Sequence, residues 1–293
     1  MSPWGGAGAR GQRAGSARGG PVGPASPGRG GGLLTPEPPE PRPAAGMAGS
    51  VLGVAWTADD RHVLGCSADR GIRVFESATS REVHALTGHR DKVTHVACVG
   101  HDTSRAVSAG ADRCLKVWDL GSGYCRQTFL CHSTCLGVAA DPSGQVVVSG
   151  HFDGALRMWD ARSGKQERDL EAVHGAGVPV VAVGAAHVSA AVATAGRDGS
   201  VRVVDLRAAG ERRALPRSPD MRVAMGGAAV CLSPDDAFVA AASHGGALVV
   251  WDALAGGAAV ALPGPSPLAG VSWSKLGTVA TTDKAGNLAL WGS

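Results

Sequence analysis

Two sets of polar residues have the types and the order that nucleophilic catalysis would need. Each contains a histidine, a serine and an aspartate, and in serine hydrolases the histidine takes the serine proton while the aspartate orients the histidine. Each set also contains a tryptophan, which that chemistry does not use. The sets are His89, Ser108, Asp112 and Trp118, and His132, Ser149, Asp153 and Trp159.

The context of these residues argues against an enzyme. The sequence has no Gly-x-Ser-x-Gly element that would expose a nucleophilic serine beside an oxyanion hole. The same residue types recur once per repeat unit, which favours a structural role. A buried indole N–H or carboxylate without a partner costs about 1 to 3 kcal/mol. The sequence therefore predicts a structural hydrogen-bond chain in each set and no catalytic residue.

A second cluster has the residue types of a metal site, namely Cys125, Cys131, His132 and Cys135. Thiolates and imidazoles in such proximity are typical zinc ligands. The repeat register separates them, however: it places Cys125 and Cys131 on an outer strand, Cys135 on the next inner strand, and His132 in the structural chain. The thiols are then small buried apolar side chains, and the sequence predicts no metal and no cofactor.

The elements that position these residues follow from a repeat. The stretch RAVSAGADRCLKVWDL, residues 105–120, predicts a strand of small residues, a tight turn at Asp112, and an alternating strand ending at Trp118 and Asp119. Five other stretches match it. Positions that correspond to Trp118 recur at spacings of 40 to 47 residues. They are Phe75, Trp118, Trp159, Val204, Trp251 and Trp291.

A period of roughly 40 to 45 residues with a Trp-Asp dipeptide predicts an all-β WD40 β-propeller. Six blades are recognisable, and the last ends before an outer strand. Residues 1–47 are rich in Gly, Pro, Ala and Arg and are predicted to be disordered. The propeller is expected over residues 48–293, with units at about 50–88, 89–131, 132–173, 174–226, 227–265 and 266–293.

The distribution of charge indicates which class of partner the protein binds. The predicted tail has a net charge of +3, whereas the propeller has 23 basic and 23 acidic residues. No strongly basic face is expected, which argues against nucleic-acid binding.

Seven cysteines without paired spacing favour a reducing, cytoplasmic location. Residues 178–196 lack formal charge, but the repeat register predicts two strands there and no membrane span.

Several segments together resemble the C-terminal WD40 propeller of the autophagy-related 16-like family. They are LTGHRDKVT (86–94), SAGADRCLKVWDLGSGYC (108–125), VVVSGHFDGALRMWDARS (146–163), GRDGSVRVVDLR (196–207) and WSKLGTVATTDKAGNLALW (273–291). The DLGSGYC segment is nearer the second vertebrate paralogue. The family propeller is seven-bladed, and the resemblance begins at what looks like its second blade. The family's N-terminal conjugate-binding segment and coiled coil have no counterpart in this sequence.

The resemblance implies a non-enzymatic adaptor that recruits the Atg8/LC3 conjugation machinery to membranes by binding partner proteins. Lys92 matches a family lysine implicated in contact with the vacuolar proton pump. Loops on a rigid scaffold commonly carry binding residues, and the expected partner-binding residues are Arg70, Arg90, Asp91, Lys92, Arg113 and Arg197.

Paired Asp-x-Arg motifs leave a second function open. Such pairs resemble the motif by which substrate receptors dock the adaptor of a cullin-4 ubiquitin ligase. The same motif can also form a strand-end salt bridge, which contributes little at a surface. The residues concerned are Asp160, Arg162, Asp205 and Arg207.

Overall fold

The computed structural model describes residues 47–293 except 101, 208–211, 225–228, 258–259, 265, 275–276, 286 and 292–293. The predicted disorder of residues 1–47 therefore lies outside the described residues, apart from Met47. Every regular element in the described part is a β-strand. None of these residues belongs to a helix long and apolar enough to cross a membrane.

The strands form six antiparallel sheets, each a simple meander in chain order. We call these sheets blades 1 to 6. Blade 1 contains β1 (Val51–Trp56), β2 (His62–Ser67), β3 (Ile72–Glu76) and β4 (Glu82–Leu86). Blade 2 contains β5 (Val93–Val99), β6 (Asp102–Gly110), β7 (Cys114–Asp119) and β8 (Cys125–Leu130). Blade 3 contains β9 (Cys135–Ala140), β10 (Val146–His151), β11 (Leu156–Asp160) and β12 (Gln166–Leu170).

The remaining blades follow the same plan. Blade 4 contains β13 (Val180–Ala185), β14 (Ala191–Gly196), β15 (Val201–Asp205) and β16 (Arg212–Ala214). Blade 5 contains β17 (Ala229–Leu232), β18 (Phe238–Ala242), β19 (Ala247–Asp252) and β20 (Val260–Pro263). Blade 6 contains only β21 (Leu268–Trp273), β22 (Val279–Asp283) and β23 (Leu288–Trp291). A six-bladed propeller whose last blade has no fourth strand among its described residues confirms the predicted fold class.

The core consists of five apolar clusters, one at each junction between consecutive blades. Period-2 alternation explains this, because the two faces of each strand contribute to the two neighbouring junctions. The anchor residue of each blade after the first packs against the preceding blade. Trp118, for example, is 1% exposed and lies in the cluster between blades 1 and 2.

The outer faces of the first and last blades carry exposed apolar side chains. Val54 and Trp56 of β1 are 58% and 55% exposed, and Leu288 and Leu290 of β23 are 58% and 63% exposed. The innermost strands pack in the order β1, β5, β9, β13, β17 and β21. Among the described residues, no apolar cluster joins blade 6 to blade 1. Sheet faces of this kind expose surface that the other junctions bury.

Backbone hydrogen bonds define two opposite faces of the propeller. In blades 1 to 4 and in blade 6, an N–H in the turn between the second and third strands donates to the carbonyl of the residue just before the first strand, as Ala111 N does to Lys92 O at 2.9 Å. In blade 5 the corresponding bond, from His244 N, goes to Arg222 O, which lies farther from its first strand. We call this the upper face. On the lower face, in blades 1 to 5, an N–H after the third strand donates to a carbonyl in or near the first turn, as Ala161 N does to Gln145 O at 2.8 Å.

Candidate functional site

Blade 2 brings the first predicted set together. Trp118 Nε1–H donates to Ser108 Oγ at 2.8 Å, and Ser108 Oγ lies 2.7 Å from His89 Nε2. His89 Nδ1 lies 3.0 Å from both carboxylate oxygens of Asp112. If His89 Nδ1–H donates to Asp112 and the Ser108 hydroxyl donates to His89 Nε2, every polar group of these four side chains has a hydrogen-bond partner.

This arrangement is unsuited to nucleophilic catalysis, although the order Ser, His, Asp is that of a triad. Ser108 has no exposed surface, and its hydroxyl oxygen already accepts the indole hydrogen bond. A nucleophile must contact its substrate. Burial lowers the pKa of His89 and outweighs the opposing effect of Asp112, so the imidazole is held neutral. The set therefore works as an internal brace between the upper loop and the blade.

Blade 3 corrects the prediction for the second set. Trp159 Nε1–H donates to Ser149 Oγ at 2.8 Å, as expected. The histidine beside Ser149 is His151, however, with Nε2 at 2.7 Å from the serine oxygen. His132 is exposed, and its side chain does not enter this chain. Asp153 was expected to contact a histidine, but its carboxylate instead forms an ion pair with Arg157 at 2.8 Å.

The reason is a size exchange that residue spacing does not reveal. The shared upper-face hydrogen bond makes Cys131 the counterpart of His89 and His151 the counterpart of Gly110. In blade 2, a Cβ added at Gly110 would lie 2.5 Å from His89 Nδ1, so glycine leaves room for the imidazole. In blade 3 the smaller Cys131 occupies the loop position, and the imidazole of His151 fills the freed space from the strand side.

Arg157 is a structural residue that sequence reasoning missed. Its side chain is 7% exposed and pairs with Asp153 at 2.8 Å and Asp169 at 3.0 Å. A buried guanidinium requires such partners because desolvation of a charge is costly. The one sequence signal for this burial is the position of Arg157 on the strand that ends in the Trp159-Asp160 dipeptide.

The four residues that the sequence analysis considered and rejected as a metal site lie only partly together. Cys125 and His132 are exposed and lie apart from it, whereas Cys131 and Cys135 are buried together with His151. Hydrogen bonding with Cys131 and burial raise the pKa of the Cys135 thiol well above its ordinary value. All seven cysteines are free thiols in the structure.

The upper face carries all six predicted partner-binding residues. Arg70, Arg113 and Arg197 lie in turns between second and third strands, and Arg90, Asp91 and Lys92 lie in the loop that enters blade 2. All six are exposed. Arg70 and Arg113 have φ angles of 74° and 63°, and the carboxylate of the preceding aspartate fixes each turn by accepting a backbone hydrogen bond.

Two carboxylates of this face are engaged in local hydrogen bonds, and a third, Asp91, is exposed. Asp69 accepts hydrogen bonds from Gly71 N and Ala48 N, and Asp112 accepts from His89 and Arg90 N. Arg217 pairs with Asp198 at 2.7 Å, but the five basic residues among those predicted to bind partners form no ion pair with any described residue. The upper face of blades 1, 2 and 4 therefore presents positive charge to solvent, although the propeller as a whole is neutral. These side chains are Arg70, Arg90, Lys92, Arg113 and Arg197.

An aromatic residue on the same face was also missed. Phe152 lies in the turn of blade 3 and is 50% exposed. It directly follows His151 and replaces the Ala111 of blade 2, so the turn itself does not need an aromatic side chain. Exposed aromatic residues surrounded by arginines are typical of the centres of protein interfaces.

The comparisons with known proteins agree with this geometry. The model of the family "WD domain, G-beta repeat" matches residues 45–76, 80–119, 123–160 and 227–252, which fall on blades 1, 2, 3 and 5. Autophagy-related protein 16 of Arabidopsis thaliana is 35% identical over 248 residues, 84% of this chain and 48% of that protein. The chain is a WD40-repeat protein related to autophagy-related protein 16.

Two further relatives support this assignment. Protein tipD of Dictyostelium discoideum is 29% identical over 84% of this chain and 40% of that protein. WD repeat-containing protein 37 of Mus musculus is 31% identical over 118 residues, 39% of this chain. The chain spans less than half the length of the first two relatives, so the similarity concerns their WD40 repeats.

The two Asp-x-Arg motifs, predicted as an alternative docking site, lie on the lower face of this WD40-repeat protein. Asp160 and Asp205 each accept a hydrogen bond from the backbone N–H of the arginine two residues later, at 2.7 Å in both cases. Each aspartate thus closes its own turn. The Arg162 and Arg207 side chains remain exposed on adjacent blades, and Arg207 lines two grooves of about 410 and 770 Å³.

Proposed function

We propose that this WD40-repeat protein is a non-enzymatic interaction scaffold whose upper face binds an acidic segment of a partner protein. The observation that carries the proposal is the contrast on that face between the Asp69 and Asp112 carboxylates, which accept local hydrogen bonds, and five exposed basic side chains without an ion pair to any described residue. Complementary charge steers association and selects partners. Phe152 exposes an aromatic side chain on the same face.

Similarity to autophagy-related protein 16 supports a more specific role. We infer an adaptor that brings the Atg8/LC3 conjugation machinery to membranes through proteins bound at the upper face. The partners are proteins, and the propeller's balance of 23 basic and 23 acidic residues supports neither nucleic-acid binding nor direct insertion into a membrane. Free thiols at all seven cysteines support a cytoplasmic location.

Reversal of charge on the upper face tests the proposal. The double variant Arg70→Glu with Lys92→Glu is expected to weaken capture of conjugation-machinery proteins roughly tenfold or more, because both side chains would repel an acidic segment. Its melting temperature should match that of the wild type, since exposed substitutions usually change stability by about 0.5 kcal/mol or less. Quantitative mass spectrometry of material that co-purifies with the full chain measures the first effect, and thermal unfolding measures the second.

The lower face provides a matched control and the test of the alternative. Arg162→Glu with Arg207→Glu makes the same change in charge on adjacent blades of the opposite face. This variant should retain wild-type capture. Should capture instead fail only in the lower-face variant, and should the adaptor of a cullin-4 ligase co-purify with the wild type, the chain would be a substrate receptor and the scaffold proposal would be wrong.

A further inference from the structure

Blade 3 contains a buried Cys-Cys-His cluster at a position where the other blades show no such set among their described residues. Cys131 lies in the upper loop, Cys135 begins β9, and His151 ends β10. The Cys131 side chain is 9% exposed, and the other two have no exposed surface. In blade 2 the corresponding positions are His89, Val93 and Gly110, so blade 3 alone combines two thiols with the imidazole.

The geometry of the three donor atoms suits a single small ion. The two sulfur atoms and the imidazole nitrogen all lie within 4.8 Å of one another. Cys135 Sγ and His151 Nδ1 are 3.7 Å apart. Tetrahedral zinc, with bonds of about 2.3 Å to sulfur and about 2.0 Å to nitrogen, holds such atoms about 3.5 Å apart. Cys135 Sγ and His151 Nδ1 are already close to this separation, and a movement of the Cys131 thiol by at most about 1 Å would bring its sulfur to a bonding position.

The surroundings of His151 leave one ring nitrogen available. Nε2 is 2.7 Å from Ser149 Oγ, and that oxygen is held in place by the hydrogen bond that it accepts from Trp159 Nε1–H. A histidine that binds a metal commonly donates its second N–H in this way. Nδ1 has only long contacts, at 3.4 Å to Ser133 O and 3.7 Å to Cys135 Sγ. Asp153, which would correspond to the partner of His89, binds Arg157 instead. A buried nitrogen with such weak contacts is unusual.

We propose that Cys131, Cys135 and His151 supply three of the four ligands of a tetrahedral zinc site in blade 3, with water as the fourth ligand. Two thiolates balance the charge of Zn²⁺, so the occupied site adds no net charge to the apolar interior. Soft sulfur and imidazole donors select zinc over magnesium or calcium. The ion would join the upper loop to β9 and β10, the role that the His89 brace has in blade 2.

Metal content of the purified full chain tests the proposal. The wild type, reduced and prepared without chelator, should bind about one Zn²⁺ per chain and should unfold at a higher temperature with zinc than after chelation. Cys131→Ser and Cys135→Ser should each weaken zinc binding at least tenfold. Cys125→Ser is the matched control, because Cys125 is exposed on β8 and lies outside the cluster; it should bind like the wild type.

A second measurement needs no variant and so remains decisive if the buried substitutions prevent folding. One equivalent of Cd²⁺ added to the wild type should produce the ultraviolet absorption of a cadmium–thiolate complex, and an excess should add no more. Absence of that absorption, absence of stoichiometric zinc, or equal binding by a folded Cys131→Ser variant would overturn the proposal. So would a Cys131–Cys135 disulfide in unreduced protein, detected as a mass lower by two hydrogens.

Discussion

A Trp118→Ala variant is expected to lose about 3 to 5 kcal/mol of unfolding free energy. The indole is 1% exposed and fills the junction between blades 1 and 2, so its removal leaves a cavity. Its N–H also donates to Ser108, which in turn contacts His89. Both the apolar contact and the start of the hydrogen-bond chain are lost together. Urea-induced unfolding followed by circular dichroism measures the change.

Trp56→Ala provides the control for this experiment. It removes the same side chain from β1, where the indole is 55% exposed. Its cost should be about 1 kcal/mol or less. Equal losses in the two variants would show that Trp118 does not brace the junction, and would contradict the structural role assigned to its hydrogen-bond chain.

Neutralising both carboxylates around Arg157 is expected to cost about 3 to 5 kcal/mol. In the double variant Asp153→Asn with Asp169→Asn, the guanidinium stays buried without a counter-charge. Adding Arg157→Met should recover most of the loss, because an apolar residue of similar volume needs no partner. Urea unfolding of the wild type, the double variant and the triple variant measures both changes.

A surface ion pair gives the comparison. Arg126 is 63% exposed and pairs with Asp119, and Arg126→Met leaves Asp119 free to keep its turn hydrogen bonds. The expected loss is at most about 1 kcal/mol. A triple variant as unstable as the double variant would mean that the cost does not come from the unpaired guanidinium, and the assignment of Arg157 as a buried structural charge would fail.

The repeat period predicted the architecture because strand alternation and turn residues are local features. The tight turn expected at Asp112 lies between β6 and β7, and the strand expected to end at Trp118 and Asp119 is β7, Cys114–Asp119. Blade 6 likewise has no fourth strand among its described residues, as the position of Trp291 predicted. Such features depend on neighbouring residues in the chain, which a sequence shows directly.

The details inside blade 3 depend on space between distant residues, and the sequence does not show space. By residue type, His132 was expected to be the counterpart of His89. The hydrogen-bond register shows instead that Cys131 is the counterpart of His89. The imidazole of His151 can enter because Cys131 is small, just as Gly110 makes room for His89. The burial of Arg157 is likewise a consequence of packing.

Hydrogen–deuterium exchange of the full chain, alone and bound to a captured conjugation-machinery partner, tests the central claim most directly. Binding at the upper face should slow exchange in the turns and loop at residues 68–71, 88–92, 111–114, 152–154 and 196–200. Exchange at 160–164 and 205–207 should be unchanged. Protection of those lower-face turns, with none on the upper face, would contradict the account.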